Sequence, residues 1–359
     1  MRRVGRAFEN GTEPAQHVRR TGDPLRRDVV ELDELTVRPL EVVRGKTCPQ
    51  PCLSTNVFHF SLPGRVFNAF AQTPSPMAAR ILDGRALASE LRIGLAARSE
   101  ALAQRGIAPR LVVVMVGEDA SSLAYVSGMR KLAGRIGIEL GVEVLPGNVD
   151  DAGVRAALDT HARDPGTHGI ILQQPLPHHL SIRRIADAIP VEKDVDGANP
   201  INQGRLAFAS GATFVPATPA AVMLLLERSE KWPLRGREVT IIGRSNVVGL
   251  PVSLLIMAED ATVTVTHKET RDVRAHAQTA EILVVAAGAP HLVDASWLAP
   301  GATVIDVGTT VVDGVLLGDV DFESAQTVAG EITPVPGGVG PVTNIALMTN
   351  VIAAAESLG

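Results

Sequence analysis

The run Val239-Thr240-Ile241-Ile242-Gly243-Arg244-Ser245-Asn246-Val247-Val248-Gly249-Leu250-Pro251 constrains this chain most, because an apolar strand passes through a glycine turn straight into an apolar helix. The first N–H groups of such a helix have no intrahelical partners and lie at the positive end of its dipole, which makes the junction a seat for a nucleotide phosphate. Gly243 lets the chain turn, and Gly249 lets helix and strand approach closely. The spacing, G-x-S-x-x-V-G-x-P, departs from the common G-x-G-x-x-G, so the turn taken alone is equally consistent with a structural bend. Its surroundings decide between the two.

After a break at Pro216–Pro219 and an apolar helix over 220–227, the strand at Val239 is followed by apolar runs at 262–265, 282–286 and 303–307. Four such strands at this spacing predict a Rossmann-type domain. Upstream, helical spacing over 85–104 precedes the apolar run 111–116, which ends at Gly117 and suits a strand buried on both faces. A helix over 122–136, a strand over 139–145, a helix over 151–161 and a strand over 170–172 complete a set of βα repeats. The expected fold is therefore α/β with two domains, 77–217 plus 340–359 and 218–339. The final helix, 343–357, is expected to pack back on the first domain. Residues 1–76 read differently. Arginines cluster there, no apolar period persists, and acids such as Glu9, Glu13, Asp23 and Asp28 argue against a mitochondrial leader. That segment is expected to be a disordered extension or to follow from a start assigned upstream of Met77.

A chain of 359 residues, 45% hydrophobic, can furnish two cores. Its net charge of -5 offers no field for nucleic acid or an anionic membrane, and no apolar run reaches the roughly 20 residues that span a bilayer. Partners are thus expected to be small molecules and a second copy of the chain, with no nucleic acid and no membrane. Cys48 and Cys52 are the only cysteines and stand without a second ligand pair, and the nine histidines show no metal-ligand spacing. No metal is expected, and a reducing cytoplasm suits the composition best.

Four more segments carry chemistry: Tyr125-Val126 on a helix, Gln173-Gln174-Pro175-Leu176-Pro177 after a strand, Lys193-Asp194-Val195-Asp196-Gly197, and Thr333-Pro334-Val335-Pro336-Gly337-Gly338-Val339-Gly340-Pro341. With Gly243-Arg244-Ser245 they resemble the bifunctional methylenetetrahydrofolate dehydrogenase/methenyltetrahydrofolate cyclohydrolase family, over about residues 77 to 359. The resemblance implies a folate cleft between two α/β domains and NADP on the second, with tetrahydrofolate derivatives as substrates and a homodimer built through the Rossmann domain. It implies Tyr125, Gln173 and Asp196 as catalytic residues, and Tyr125, Asp196, Pro336, Gly337 and Gly338 against the substrate. It places Gly243, Arg244, Ser245, Val248, Gly249, Lys268 and Thr309 on the cofactor. The residue chemistry agrees, because a pterin needs an aromatic face and a carboxylate for its N–H groups, and Tyr125 is the only tyrosine. Asp194, in an acid-rich turn before glycine, is equally suited to positioning the loop.

The chain departs from the family pattern where a lysine is expected four residues after the tyrosine, since Met129 stands there. Hydrolysis of a methenyl bridge moves a proton, which a thioether cannot carry. Arg130 stays protonated, and Lys131 lies about 200° around the helix from that position. Hydride transfer needs mainly position, so the dehydrogenase step is expected to survive better than the cyclohydrolase step. Ala221 is a second departure, standing where the family usually has glycine. At the end of the second Rossmann strand, Thr266-His267-Lys268 replaces the acid common in NAD sites, so Arg244 and Lys268 favour NADP. The competing reading is a non-catalytic folate or nucleotide binder derived from the family.

Overall fold

The computed structural model describes residues 57–62, 65–70 and 78–359, apart from 209–213. Within the expected extension, β1 (Val57–Leu62) and β2 (Arg65–Phe70) pair antiparallel, with Val57 opposite Phe70 and Leu62 opposite Arg65. The sequence reading missed this hairpin because each strand is short, although Pro63-Gly64 between them is a turn-forming pair. The remainder of 1–76 lies outside the described residues. The hairpin falls in a unit separate from the rest of the described chain.

The first lobe is built from α1 (Gly84–Gln104), β4 (Arg110–Val116), α2 (Ala120–Ile136), β5 (Glu139–Leu145), α3 (Asp151–Arg163), β6 (Gly169–Leu172), α4 (Ile182–Ile185) and α5 (Pro200–Ala207). Its sheet has the order β5-β4-β6 and is parallel throughout. The continuous apolar run of β4 serves both faces by alternation. Leu111, Val113 and Met115 enter one core with α2 and the C-terminal helix, and Val112, Val114 and Val116 enter another with α3 and α4. The helices start where acids or amides can cap them. Asp83 accepts from the N–H groups of Arg85 and Ala86, Asp119 from that of Ser122, and Asp150 from that of Gly153. Gly137, at φ 90°, closes α2 in the left-handed conformation.

The second lobe comprises β3 (Arg80–Ile81), α6 (Ala217–Leu226), β7 (Glu238–Ile242), α7 (Gly249–Ala258), β8 (Thr262–Thr266), α8 (Val273–Gln278), β9 (Ile282–Val285), β10 (Thr303–Asp306), β11 (Thr310–Val312), β12 (Val315–Leu317), α9 (Phe322–Ala325) and β13 (Glu331–Ile332). Its six-stranded sheet runs β3-β13-β10-β9-β7-β8, every pair parallel. The four expected strands are there. β13 and β3 extend the sheet by two residues each, too short for any periodicity to show in sequence. β3 precedes α1 in the chain yet pairs with β13, so the chain visits the second sheet before it builds the first.

The C-terminal helix α10 (Val339–Leu358) begins in the second lobe's core, through Val339 and Val342, and continues into the first lobe's, through Ile345 to Ala355. Asn350 on this helix donates to the carbonyls of Val195 and Val215, 2.8 and 2.9 Å away. One helix therefore ties the Lys193–Gly197 loop to the segment that crosses between the lobes.

Candidate active site

The Lys193–Gly197 loop is held from several sides. Lys193 is buried, and its ammonium donates to the carbonyls of Ala162 and Asp164 at the end of α3, both at 2.8 Å. Asp194 is fully buried and accepts from the N–H groups of Ala198 and Asn199 and from the Asn202 amide, at 2.8–2.9 Å. Burial outweighs those bonds and pushes its pKa up to about 6. Asp194 thus shapes the loop. With both neighbours turned inward and Gly197 at φ 65°, Asp196 is left on the surface of a cavity of about 240 Å³, shared with Gln174, Arg183, Asn246 and Val247. The Asp196 carboxylate makes no hydrogen bond to any described residue. Desolvation first, and the nearby Asp194 charge second, push its pKa up to about 7. A half-buried carboxylate without a protein partner is an acceptor waiting for donors.

Tyr125 stands on α2 with 40% of its surface exposed. Burial of the phenol first, and the Asp196 charge second, hold its pKa above the ordinary tyrosine value. Tyr125 lines a second cavity of about 370 Å³, with Val248, Asp306–Thr309 and the Pro334–Gly340 loop on the other walls. That loop is pressed against the start of α1. Arg85 N–H donates to Gly337 O at 3.1 Å, and a Cβ on Gly84 would sit 1.7 Å from Gly338 O. Gly337 has φ 124°, and a Cβ on Gly338 would meet Thr333 and Pro334 at 2.7 Å, so both glycines are required where they stand. The sequence reading gave Gly84 no role, because the Gly338 carbonyl that it must clear is distant in sequence.

On the nucleotide side, Gly243 has φ 116°, and a Cβ there would lie 2.1 Å from Ala286 O; one on Gly249 would lie 2.1 Å from Gly243 O. Both glycines therefore make the turn possible, as expected. Ser245 Oγ accepts from Val248 N–H at 3.1 Å. The N–H groups of Arg244, Ser245, Asn246 and Val247 have no partner among the described residues, the donor set a pyrophosphate requires. Gly243 N–H donates to Thr266 O at 2.9 Å, so the exposed Arg244 and Lys268 leave adjacent strand ends. Lys268 has an 89% exposed side chain with Glu269 3.9 Å away, and Thr309 is exposed on the second cavity.

A pair of carboxylates was not anticipated. Asp306, at the end of β10, accepts from the N–H groups of Gly308, Asp319 and Val320, while Asp319 accepts from those of Ala287, Gly288 and Ala289. Together they fix the loops after β9 and β10 that wall the cleft. Burial pushes Asp306 up to about 6. The sequence signal was an acid closing the apolar run of β10.

The remaining sequence candidates are placed as follows. Met129 is 1% exposed and lies in the first lobe's core with Val126, Ala133 and Ile136, on the buried stripe of α2. Arg130 and Lys131 are exposed. Gln173 is half-buried, and its amide donates to Gln174 O at 2.6 Å; Gln174, not Gln173, lines the Asp196 cavity. Ala221 is buried in α6. His178 and His179 are exposed, as expected for a loop, and no cluster of metal-ligating side chains occurs among the described residues.

Residues 82–196 match the tetrahydrofolate dehydrogenase/cyclohydrolase catalytic domain, and residues 216–358 match the NAD(P)-binding domain of the same family. This chain belongs to that family. It is similar to the bifunctional protein FolD of Bordetella petrii, 47% identical over 80% of this chain and 97% of the relative. Among solved structures, it is similar to the bifunctional FolD methylenetetrahydrofolate dehydrogenase/cyclohydrolase of Campylobacter jejuni, at 37% identity and TM-score 0.75, covering 78% of this chain and 99% of that one. The Trypanosoma brucei FolD, solved with NADP cofactor and an inhibitor, is likewise similar at 37% identity and TM-score 0.74, over 78% of this chain and 98% of that chain. The range 82–196 falls in the first lobe, and the range 216–358 takes in most of the second lobe together with α10.

Proposed function

We propose that this protein oxidises 5,10-methylenetetrahydrofolate to 5,10-methenyltetrahydrofolate with NADP, and that the following hydrolysis to 10-formyltetrahydrofolate is impaired by Met129. The observation that carries the first part is the unpaired Asp196 carboxylate beside Tyr125, in a cleft whose far wall is the glycine turn with free N–H donors. In this reading Asp196 accepts the pterin N–H groups and Tyr125 stacks on the folate ring system. Pro336, Gly337 and Gly338 let the backbone approach the flat ligand closely. Gly243, Ser245, Val248 and Gly249 shape the seat for the cofactor pyrophosphate, Thr309 lies against the cofactor, and Arg244 with Lys268 meets its 2′-phosphate. NADP, when bound, supplies the hydride acceptor. The chain's contribution is to bring the bridge carbon and the acceptor together and to exclude water.

Met129 supports the second part. It fills the core and carries no proton, and the Gln173 amide, with no lysine to hold, is turned onto Gln174 O. We further propose that the protein works in the cytoplasm as a homodimer. No helix among the described residues is long and apolar enough to cross a membrane. β8 closes one edge of the larger sheet and carries the exposed Val265, which suits self-association through the second lobe.

The deciding experiment is NADPH formation by the pure full-length chain with 5,10-methylenetetrahydrofolate. Steady reduction of NADP, with slow loss of added methenyltetrahydrofolate, is expected. No reduction of NADP or NAD would overturn the proposal in favour of a binding-only relative. Met129→Lys is expected to raise methenyl hydrolysis at least tenfold while lowering thermal stability, since a cation at a 1% exposed position must reach the cleft or lose its charge. An unchanged hydrolysis rate in a folded variant would remove Met129 as the limiting residue.

A further inference from the structure

Three anchors hold the loop that carries Asp196, and they are not equivalent. Lys193 donates to the carbonyls of Ala162 and Asp164, and Asp194 accepts from Ala198, Asn199 and Asn202, so both tie the loop to its own lobe. Asn350 reaches it from α10. Its amide nitrogen carries two N–H groups and donates to Val195 O at 2.8 Å and to Val215 O at 2.9 Å. Neither carbonyl has another donor among the described residues. Val195 is fully buried and directly precedes Asp196, and Val215 directly precedes Pro216. On the other side of Asp196, Gly197 is pressed onto Pro216, where a Cβ would lie 2.8 Å from the proline nitrogen. Val195-Asp196-Gly197 and Val215-Pro216 thus form a closed circuit, with the Asn350 amide as its clasp. Asp196, Gly197 and Pro216 line the cavity of about 240 Å³, but Asn350 does not. It faces a separate opening of about 460 Å³ with Val215, Met223 and Trp232.

We propose that Asn350 is a positioning residue for folate oxidation: by holding Val195 and Val215 together, it sets where the Asp196 carboxylate stands without touching the ligand. The proposal rests on the folate reading above. A carboxylate that must meet the N–H groups of a flat ring at hydrogen-bond distance is disabled by a displacement of about 1 Å. Only an amide nitrogen serves both carbonyls at once. A hydroxyl has a single hydrogen to give, and a methyl group leaves both acceptors without a donor. The helix that carries Asn350 begins at Val339, beside Gly337 and Gly338 in the wall of the second cavity, and Asn350 lies about 16 Å further along it. The amide therefore places Asp196 relative to that glycine loop as well as to its own lobe.

The test is a double-mutant cycle on kcat/KM for 5,10-methylenetetrahydrofolate, read as NADPH formation by the full-length chain. Asn350→Ala is expected to lower kcat/KM about tenfold, chiefly through KM, with the Kd for NADP within about twofold of that of the natural sequence. Added to Asp196→Asn, it should cost less than about twofold more, because the charge it positions is gone. Asn350→Ser keeps one donor and should lose about threefold, and it carries the same cycle should the alanine variant not fold. An Asn350→Ala protein that is less stable to heat but unchanged in kcat/KM would overturn the proposal and leave the proposed activity standing. A loss that multiplies fully with that of Asp196→Asn would overturn it too, since Asn350 would then act apart from Asp196. If the natural sequence reduces no NADP, or Asp196→Asn alone changes nothing, the folate reading itself falls, and the role of Asn350 with it.

Discussion

On the nucleotide side of the cleft, position is set by backbone. Gly243 and Gly249 leave no room for a Cβ, each having a carbonyl oxygen 2.1 Å from where one would stand, and the groups offered to a ligand are N–H donors of the turn. On the side of Tyr125 and Asp196, position is set by side chains, and the loop beneath them is anchored by Lys193, Asp194 and Asn350. The first construction admits almost no substitution, because sterics fix it. The second can lose one chemical group and keep its shape, since Met129 is accommodated in a close-packed core with the fold intact. On the proposed reading of Met129, one activity is lost on the side-chain face while the backbone face stays unaltered.

The sharpest way to break this contrast is Gly243→Ala. The new methyl would clash with Ala286 O, and φ 116° is strained for any L residue with a side chain. A loss of about 3 kcal/mol or more in urea unfolding and near-complete loss of NADP binding are expected. A variant that binds NADP normally would show that the turn tolerates side chains after all.

Asp196→Asn comes next in size. It keeps the shape but removes the charge that strengthens hydrogen bonds to pterin N–H groups, so kcat/KM for the folate should fall about 100-fold while NADP affinity stays within about twofold. The same residue predicts a pH dependence. With its pKa near 7, Asp196 becomes protonated as pH falls from 8 to 6, and KM for the folate should rise over that interval. Stability has the opposite sense. Asp194, Asp196 and Asp306 all titrate in the folded state at about 6 to 7, above the ordinary value of 3.8, so between about pH 4 and 7 the folded chain binds more protons than the unfolded one. The free energy of unfolding should therefore decline as pH rises through that window, and less steeply in Asp196→Asn. A flat KM profile from pH 6 to 8 would contradict the assignment of Asp196 as the acceptor.

The two faces also differ in how readable they were. The backbone face could be read only with its surroundings, since Gly243 and Gly249 alone suit a structural bend equally well and the apolar strands that follow point to a phosphate seat. The central strands of both sheets could be read directly, because Leu111 to Val116 of β4 and all of β9 are unbroken apolar runs, and β7 and β10 are built around Val and Ile. What escaped notice depends on partners distant in sequence. Gly84 is required only because Gly338 comes back against it, and Asp319 matters because it reaches the N–H groups after β9. β3 and β13 are short and pair across most of the chain. Met129 was recognisable as a missing lysine from the motif, but its 1% exposure in the core is a property of packing that helical spacing from Tyr125 did not reveal.

The smallest effects should separate Arg244 from Lys268, and they sharpen the contrast because here the backbone face uses side chains. Both are exposed and leave adjacent strand ends, joined by the Gly243 N–H bond to Thr266 O. Arg244 lies inside the turn, two residues after Ile242, where a bound phosphate would be within its reach. Lys268 is 89% exposed and has Glu269 at 3.9 Å to share its charge. Arg244→Ala is therefore expected to raise the Kd for NADP about tenfold with little effect on NAD, in line with roughly 1.5 kcal/mol for a charge-assisted hydrogen bond. Lys268→Ala should change it about twofold or less, as an exposed, flexible ammonium contributes. Equal losses at both positions would mean that the two cations grip the phosphate together. A loss for NAD as large as for NADP would move Arg244 from the 2′-phosphate to the pyrophosphate.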